Sequence, residues 1–283
     1  MAVVVMTGGT AGLGLVAAER IRAEPGVRLV VGGRSGGVLP LDLSSFASVR
    51  DFAQAVEQAI GSGQIDVLVL NAGIQTATNE GRTAEGFEAN FGVNHLGHYL
   101  LLRLLLPKLA PDATVVITAS DTHDPKANSL AAPRELDIAA LAHPPVAGKF
   151  LAGFRAYSAS KLCNILTARA LAAAEPKLRV IAYNPGFTPG TALQRDWPWW
   201  ARLSGFFAAL VRPIARLATV EQAGDALADL ALGRATPPAG QLYASMDKRR
   251  LTWPDPAELA RRDDLAQQLW DESAWMVGLT SPE

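Results

Sequence analysis

The stretch that decides the fold is AVVVMTGGTAGLG, residues 2–14. It opens with a continuous apolar run at residues 2–6, which is typical of a buried parallel strand. Gly8, Gly12 and Gly14 follow, and a helical pattern covers residues 15–23. In such a strand–turn–helix unit, glycines allow a tight turn and the helix N-terminus attracts a pyrophosphate. The stretch therefore predicts a dinucleotide-binding turn. Its spacing differs from G-x-G-x-x-G, and a turn without a ligand is the alternative.

Further apolar runs alternate with helical patterns along the rest of the chain. Helices are predicted at residues 46–60, 87–109 and 221–232 and around Tyr157, with Ser44 or Ser45 capping the first of them. This alternation is typical of an α/β fold, a doubly wound parallel β-sheet of Rossmann type, and residues 1–283 suit a single domain. The later predicted strands cover residues 28–31, 38–41, 67–70, 114–118, 179–182 and 241–244.

Polar residues and turns stand where the predicted strands end. Thr7, Asn71, Ser120 and Pro185 lie at carboxyl ends of strands, which is the edge where such sheets bind ligands. The second strand ends at Gly32-Gly33-Arg34, with no acid there. An Asp or Glu at this place binds the ribose hydroxyls of NAD, whereas an arginine suits the 2′-phosphate of NADP. Arg34 therefore favours NADP, and a solvated turn arginine is the alternative.

Tyr157 and Lys161 stand four residues apart in the sequence YSASK, at the start of a helical run rich in alanine and leucine. Side chains at this spacing project side by side from one helix face. A neighbouring ammonium favours the phenolate, so we expect the pKa of Tyr157 to fall below its ordinary value near ~10. Tyr157 would then exchange a proton as a general acid or base. A chance pair on a solvated face is the alternative.

The composition is that of an ordinary soluble globular protein. The chain is 49% hydrophobic and 19% charged with a net charge of -1, so no basic excess points to nucleic acid. Cys163 is the single cysteine, which excludes an internal disulfide and suits a reducing cytosol. The four histidines lack a metal-ligand spacing, so no metal is expected. With neither a secretory signal nor an apolar window of ~20 residues, we expect a cytoplasmic protein without an integral membrane segment.

Six motifs occur in the order typical of one known family. They are Thr7-Gly8-x-x-x-Gly12-x-Gly14, Asn71-Ala72-Gly73, Asn94, Ser120, Tyr157-x-x-x-Lys161 and Pro185-Gly186. With them the chain resembles the short-chain dehydrogenase/reductase family from about residue 1 to residue 245. The phrase Asn94-His95-Leu96-Gly97-His98 is most similar to the retinol-dehydrogenase-like and protochlorophyllide-reductase-like branch, and the sequence around Pro185 also resembles ketoreductase-like members.

The resemblance implies four catalytic residues. Tyr157 would donate a proton in ketone reduction and act as the base in alcohol oxidation. Lys161 would lower the pKa of Tyr157 and hold the nicotinamide ribose. Ser120 would hydrogen-bond the substrate oxygen, and Asn94 would hold a water molecule that links Lys161 to solvent.

The resemblance also implies where the cofactor lies. Asp42 would meet the adenine amine, residues 71–73 would line the adenosine ribose, and the backbone around Thr188 would meet the carboxamide. Arg34 matches the arginine of NADP-preferring members. Besides Asp42, Thr188, Tyr157 and Lys161, the expected cofactor contacts are Thr7, Gly8, Thr10, Gly12, Leu13, Gly14, Arg34, Leu43, Asn71, Ala72, Gly73, Pro185 and Gly186.

Three departures from the family pattern matter. The link from Arg34 to Asp42 is shorter than is usual in the family, which leaves one flank of the adenosine site more open. Ala11 occupies a turn position that is often basic in NADP-dependent members. Phe187 stands just after Pro185-Gly186, where protochlorophyllide reductases carry a cysteine, so light-driven double-bond reduction is not expected.

Aromatic residues cluster after the Pro185-Gly186 turn, most densely at residues 197–200. We predict that residues from about 187 to 217 form a lid over the nicotinamide, with Phe187, Trp197 and Trp200 facing a bulky apolar substrate. A membrane-surface helix and simple core packing are the alternatives.

Two other segments bear on the substrate pocket. His123 follows Ser120 in a long Pro- and Ala-rich segment, and it is a candidate for substrate contact, with a surface-loop histidine as the alternative. The amphipathic tail at about residues 255–278 is predicted to be helical and to close one side of the pocket. Cys163 is expected to be a buried, inert thiol.

The function predicted from these observations is that of an NADP(H)-dependent oxidoreductase that interconverts a ketone or aldehyde and an alcohol, with NAD(H) the less fitting cofactor. One alternative is reduction of an activated carbon–carbon double bond. Another is a non-catalytic NADP-binding sensor, whose usual mark is loss of the Tyr or the Lys. Monomer and homodimer both stay open, with the helices of Asn94 and Tyr157 as the candidate dimer contacts.

Overall fold

The computed structural model describes residues 1–35, 39–186 and 218–279, and at the centre of this part of the chain lies an eight-stranded β-sheet. The strand order is β3-β2-β1-β4-β5-β6-β7-β8; neighbours pair in parallel except β7 and β8, which are antiparallel. This confirms the predicted doubly wound sheet. The strands are β1 Ala2–Thr7, β2 Val27–Gly33, β3 Leu39–Pro40, β4 Ile65–Leu70, β5 Leu109–Thr118, β6 Arg179–Asn184, β7 Tyr243–Asp247 and β8 Arg250–Thr252.

Helices cover both faces of the sheet, since the central strands are apolar on both sides. One face packs against α2, α4, α6 and α8, and the other against α1 and α7. In the described parts of the chain, the α-helices are α1 Gly12–Ala23, α2 Phe46–Ile60, α3 Ala89–Phe91, α4 Gly97–Leu105, α5 Ile138–Ala142, α6 Phe150–Ala174, α7 Val220–Ala231 and α8 Asp263–Met276. Among the described residues, 3-10 helices cover Leu106–Lys108, Asp121–His123 and Glu258–Arg261, and a π-helix covers Gly92–Leu96.

The ends of two helices follow from their capping residues. Helix α2 has the predicted bounds, and its N-cap is Ser45, whose hydroxyl accepts the Ser48 N–H at 3.4 Å. Helix α7 opens with a reciprocal capping box between Thr219 and Gln222. Each cap satisfies backbone donors that a helix end leaves without partners.

The predicted helix at residues 87–109 is not continuous. It divides into α3, the π-helix, α4 and the 3-10 turn of Leu106–Lys108. Pro107 within that turn cannot donate to a helical ladder, so the helix ends there and β5 begins at Leu109, earlier than predicted. At the π-helix, the Gly97 N–H bonds the Gly92 carbonyl five residues back, a widened turn that apolar periodicity does not reveal.

Strand β8 was not predicted from the sequence. It pairs with β7 through a tight hairpin whose turn residues are Lys248 and Arg249, with φ angles of 45° and 69°. Such left-handed conformations normally signal Gly or Asn, so this turn carries no sequence mark.

Of the two segments predicted to flank the substrate, the structure describes only the C-terminal tail. Residues 187–217, the proposed lid, lie outside the described residues. In the tail, the 3-10 helix Glu258–Arg261 precedes helix α8, and α8 packs on α6 beside the π-helix. There the Trp270 carbonyl accepts the hydroxyl of buried Tyr99 at 2.7 Å.

Candidate active site

The glycine turn after β1 is shaped for close approach of a ligand. Gly8 has a φ of +72°, and a Cβ there would lie 2.7 Å from the Ala72 Cα. A Cβ on Gly14 would lie 2.0 Å from the Gly8 carbonyl oxygen. Helix α1 then starts at Gly12 with no side-chain cap on its N-cap residue Ala11 and no acid in its first turn. An uncapped helix N-terminus behind a glycine turn fits a pyrophosphate.

Thr7 and Asn71 hold this turn from inside the protein. The Thr7 hydroxyl accepts the N–H groups of Asn71 at 3.0 Å and Ala72 at 3.1 Å. The Asn71 amide donates to the Gly8 carbonyl at 3.1 Å, and its oxygen accepts the Thr118 hydroxyl at 3.2 Å. The side chain of Asn71 therefore supports the turn, and the backbone of this half-buried segment is the part that it offers to a ribose.

The residues expected around the adenosine lie at the ends of β2 and β3. Arg34 is exposed, and no hydrogen bond or ion pair engages it within the described parts of the chain. Asp42 is also exposed, with one carboxylate oxygen accepting the backbone N–H and the hydroxyl of Ser44. Leu43, by contrast, is 5% exposed and packs in the core, so its side chain does not face a ligand. Thr10 is exposed in the glycine turn, and Leu13 is buried beneath it.

Tyr157, Lys161 and Ser120 come together at the carboxyl end of β5. Ser120 lies near the phenol of Tyr157 and favours its ionised form, while the Ser120 hydroxyl donates to the Asp121 carboxylate at 3.4 Å and accepts the Thr122 N–H at 3.3 Å. Lys161, one helical turn beyond Tyr157, donates from Nζ to the Thr118 carbonyl at 3.1 Å, and Nζ lies 5.7 Å from the centroid of the Tyr157 ring. The predicted i, i+4 pairing is thus present on α6, and it is buried, since Tyr157 is 7% and Lys161 3% exposed.

Burial dominates the ionisation of this pair. It raises the pKa of Tyr157 to about 12, with the neighbouring Ser120 opposing the rise, and it lowers the pKa of Lys161 to about 8. The expected lowering of the Tyr157 pKa is therefore wrong for the protein alone. Loss of water around the phenolate outweighs the attraction of an ammonium whose own charge is disfavoured by the same burial.

Asn94 sits in the π-helix, with its side chain fully engaged. It accepts the Ile74 N–H at 2.8 Å and donates to the Ile74 carbonyl at 2.9 Å and to the Ser160 hydroxyl at 3.0 Å. A Cβ on Gly73 would lie 3.1 Å from the Asn94 side-chain oxygen and 3.6 Å from the Lys161 Nζ. The segment of residues 71–73 therefore runs between the glycine turn and the buried lysine.

His123 is neither a surface residue nor a free contact for substrate. It is 2% exposed, its Nδ1 bonds the Ser120 carbonyl at 2.6 Å, and its Nε2 accepts the Ala257 N–H at 3.2 Å. Both ring nitrogens are thus occupied, and burial lowers the pKa of the ring. The prediction of a substrate contact is corrected to a support for Ser120. Asp121, next to Ser120 and overlooked in the sequence, is half-buried, and burial raises the pKa of its carboxyl.

The turn after β6 has the predicted residues at the same edge. Gly186 has a φ of +70°, and its N–H bonds the Asn184 side chain at 3.0 Å. Phe187, Thr188, Trp197 and Trp200 lie outside the described residues. Cys163 is fully buried on α6, as predicted, and burial raises the pKa of its thiol.

Two further searches concern the described residues. None of their helices is long and apolar enough to cross a membrane. Within the same ranges, no three side chains of His, Cys, Asp or Glu are grouped to hold a metal ion.

Comparisons of the sequence and the fold with known proteins identify what this chain is similar to. Residues 2–131 match the short chain dehydrogenase family. The chain is 35% identical to dehydrogenase/reductase SDR family member 13 of Bos taurus, covering 94% of this chain and 64% of that protein's length. It is 32% identical to the chloroplastic protochlorophyllide reductase of Cucumis sativus, covering 98% of this chain and 78% of that one. A crystal structure of an uncharacterized protein from Mycobacterium paratuberculosis has a TM-score of 0.70 at 26% identity, covering 100% of this chain and 96% of the other.

The chain therefore belongs to the short-chain dehydrogenase/reductase family, in the branch similar to retinol dehydrogenases and protochlorophyllide reductases. This confirms the resemblance inferred from the six motifs. Members of this family are oxidoreductases that use a nicotinamide cofactor.

Proposed function

We propose that the protein is an NADP(H)-dependent oxidoreductase that interconverts a ketone or aldehyde and an alcohol. The observation that carries the proposal is the buried cluster of Ser120, Tyr157 and Lys161 at the carboxyl end of β5. When bound, the nicotinamide supplies or accepts the hydride. Ser120 and Tyr157 hydrogen-bond the substrate oxygen, and Tyr157 transfers the proton to it. The charge of Lys161 stabilises the phenolate that remains. Asn94 holds the backbone of Ile74, next to the segment that runs beside Lys161.

The ionisation of Tyr157 fits the proton donor of the reductive half of this reaction. A phenol with a pKa of about 12 stays protonated at neutral pH, which is the form required of a proton donor. Alcohol oxidation needs the phenolate, and burial of Tyr157 disfavours that form. We therefore assign Tyr157 as the general acid of carbonyl reduction.

NADP is the proposed cofactor because of the cation at the end of β2. Arg34 is exposed beside the glycine turn, and no acid in β2 or at its end competes for the ribose hydroxyls. A guanidinium pairs well with a phosphate group. The glycine turn, which has no room for side chains at Gly8 and Gly14, fits the pyrophosphate of either nicotinamide dinucleotide.

The proposed substrate is bulky and apolar. This part of the proposal rests on the sequence of the lid, in which Phe187, Trp197 and Trp200 supply apolar surface. Aromatic-lined pockets with few polar groups are typical of such ligands.

The experiment that tests the function is NADPH and NADH oxidation with a panel of aromatic, polycyclic and aliphatic ketones and aldehydes. Tyr157→Phe keeps the ring and removes the proton, so carbonyl reduction should fall by a factor of about 10² or more. The matched control is Tyr183→Phe, since Tyr183 is also buried and its hydroxyl donates to the Ala223 carbonyl at 2.8 Å, away from the site. Unchanged turnover in Tyr157→Phe would refute the assignment.

Reduction of an activated carbon–carbon double bond is the second candidate. It is favoured by the 32% identity, over 98% of this chain, to a protein named as a protochlorophyllide reductase. Phe187, in place of the cysteine of those enzymes, argues against the light-driven form. Enones distinguish the two candidates, because carbonyl reduction yields an allylic alcohol whereas double-bond reduction yields a saturated ketone. A non-catalytic NADP sensor would bind NADPH and give neither product.

A further inference from the structure

A buried chain of hydrogen bonds starts at Thr7, in the glycine turn. Thr7 is fully buried, and its hydroxyl oxygen accepts the N–H groups of Asn71 and Ala72. A hydroxyl has two lone pairs and one proton. Since both lone pairs are engaged, Thr7 must act as the donor to its third partner, the Nε2 of His98 at 2.9 Å.

The tautomer of His98 follows from this count. Because Nε2 accepts a proton from Thr7, the ring proton lies on Nδ1. Nδ1 then donates to the backbone carbonyl of Asn94 at 3.1 Å. The ring is 2% exposed, and burial together with the charge of Lys161 lowers its pKa to about 4. At neutral pH it is therefore an uncharged bridge with one acceptor end and one donor end.

The two ends of this bridge belong to two parts of the proposed site. Thr7 fixes the turn that fits the pyrophosphate, whereas Asn94 lies in the π-helix beside Lys161. The side chain of Asn94 already makes three hydrogen bonds. The Asn94 carbonyl is therefore the group of this residue that His98 contacts directly.

We propose that His98 is a positioning residue that couples the cofactor turn to the catalytic π-helix, by holding the Thr7 hydroxyl at one end and the Asn94 carbonyl at the other. This proposal rests on the proposed function. Its Thr7 end governs the affinity for the dinucleotide, and its Asn94 end governs the rate of the proton-transfer step at saturating cofactor.

Two substitutions separate the two ends. In His98→Asn, the amide nitrogen stands near the place of Nδ1 and retains the bond to the Asn94 carbonyl, but nothing reaches Thr7. In His98→Gln, the longer side chain places an oxygen near Nε2 and retains the Thr7 bond, but the Asn94 carbonyl loses its donor. We expect His98→Asn to raise the Kd for NADPH about ten-fold, and His98→Gln to lower kcat about ten-fold with little change in Kd.

The matched control is His95→Gln. His95 lies in the same π-helix and is equally buried, but its Nε2 bonds the Ser273 hydroxyl of α8 at 2.8 Å. A general penalty for replacing a buried histidine lowers the thermal stability of all three variants. Only the His98 variants should also change NADPH binding or kcat. Equal losses of NADPH affinity in His95→Gln and His98→Asn would overturn the proposal, and so would wild-type affinity in His98→Asn.

NADPH binding, followed by fluorescence titration, separates this proposal from the proposed function. If the protein binds NADPH and reduces no carbonyl, the proposed function fails. The Kd values of the variants still test whether the His98–Thr7 hydrogen bond supports NADPH binding. If it binds neither NADPH nor NADH, the coupling role is overturned. If the variants do not fold, ¹H–¹⁵N spectra of the wild type report the tautomer of His98 and so test the bridge directly. His98 must appear as the neutral Nδ1-protonated tautomer at pH 6 to 8, and an Nε2-protonated ring would refute it.

Discussion

The ionisation of Lys161 predicts how activity depends on pH. Burial lowers the pKa of this lysine from an ordinary value of 10.5 to about 8. With that pKa, the charged fraction is about 0.9 at pH 7 and about 0.1 at pH 9. If the charged lysine is the form that binds cofactor and stabilises the Tyr157 phenolate, kcat/KM for NADPH should fall about ten-fold between pH 7 and pH 9. Varying NADPH at saturating carbonyl substrate is the right assay, because kcat/KM then reports the pKa of the free enzyme.

The free energy of unfolding should, by contrast, increase as the pH rises. Between pH 8 and pH 10.5 the unfolded chain holds the lysine proton more firmly than the folded protein does, so stability rises with pH in that window. Lys161→Met lacks this effect. The free energy of unfolding of the wild type, relative to Lys161→Met, should therefore increase by about 1 kcal/mol between pH 8 and pH 9. Chemical denaturation at the two pH values measures it, and exposed Lys177→Met is the control that keeps the wild-type dependence.

Two results would contradict this reasoning. A profile of kcat/KM that stays flat from pH 7 to pH 9.5 would mean that the charge of Lys161 is not required in the free enzyme. A wild-type stability that does not rise relative to Lys161→Met would mean that the lysine keeps its ordinary pKa in the folded protein.

Two further substitutions test the cofactor site. Gly14→Ala would place a Cβ 2.0 Å from the Gly8 carbonyl and 2.6 Å from the Asn71 amide nitrogen, so the turn must shift. We expect the affinity for NADPH to fall at least about ten-fold and the free energy of unfolding to fall by about 2 kcal/mol. Titration with NADPH and chemical denaturation measure the two effects. Arg34→Ala should raise the KM for NADPH about ten- to hundred-fold while leaving NADH within about two-fold, and exposed Arg22→Ala should change neither. Equal effects of Arg34→Ala on both cofactors would exclude a phosphate contact.

The elements that the sequence predicts well are those whose signal is local. The apolar run of β1, the glycines after it and the Ser45 cap of α2 each determine their own conformation, and all three appear as expected. The π-helix and the β7–β8 hairpin depend on their surroundings instead. Gly92 and Gly97 admit a π-turn without requiring one, and Lys248 and Arg249 adopt left-handed conformations that their side chains do not favour.

The candidate site shows the same limit in its chemistry. The spacing of Tyr157 and Lys161 predicts that the two side chains share one face of α6, and they do. It cannot predict how much water remains around them. Because burial raises one pKa and lowers the other, the sign of the Tyr157 shift depends on the packing of the whole edge of the sheet, which no pair of residues encodes.

The buried histidines also show that packing determines the chemistry of a side chain. In the sequence, His123 suggests a substrate contact or a surface loop, and His95 and His98 appear only within a phrase typical of the family. In the fold each ring is buried and hydrogen-bonded, and burial lowers each pKa. A neutral imidazole can accept at one nitrogen and donate at the other, so it can join two elements without bringing a charge into the core. His123 joins the Ser120 carbonyl to the segment before α8, and His98 joins the glycine turn to the π-helix. Protonation would turn each acceptor nitrogen into a donor that faces another donor. The lowered pKa values are therefore a requirement of these bridges as well as a consequence of their burial.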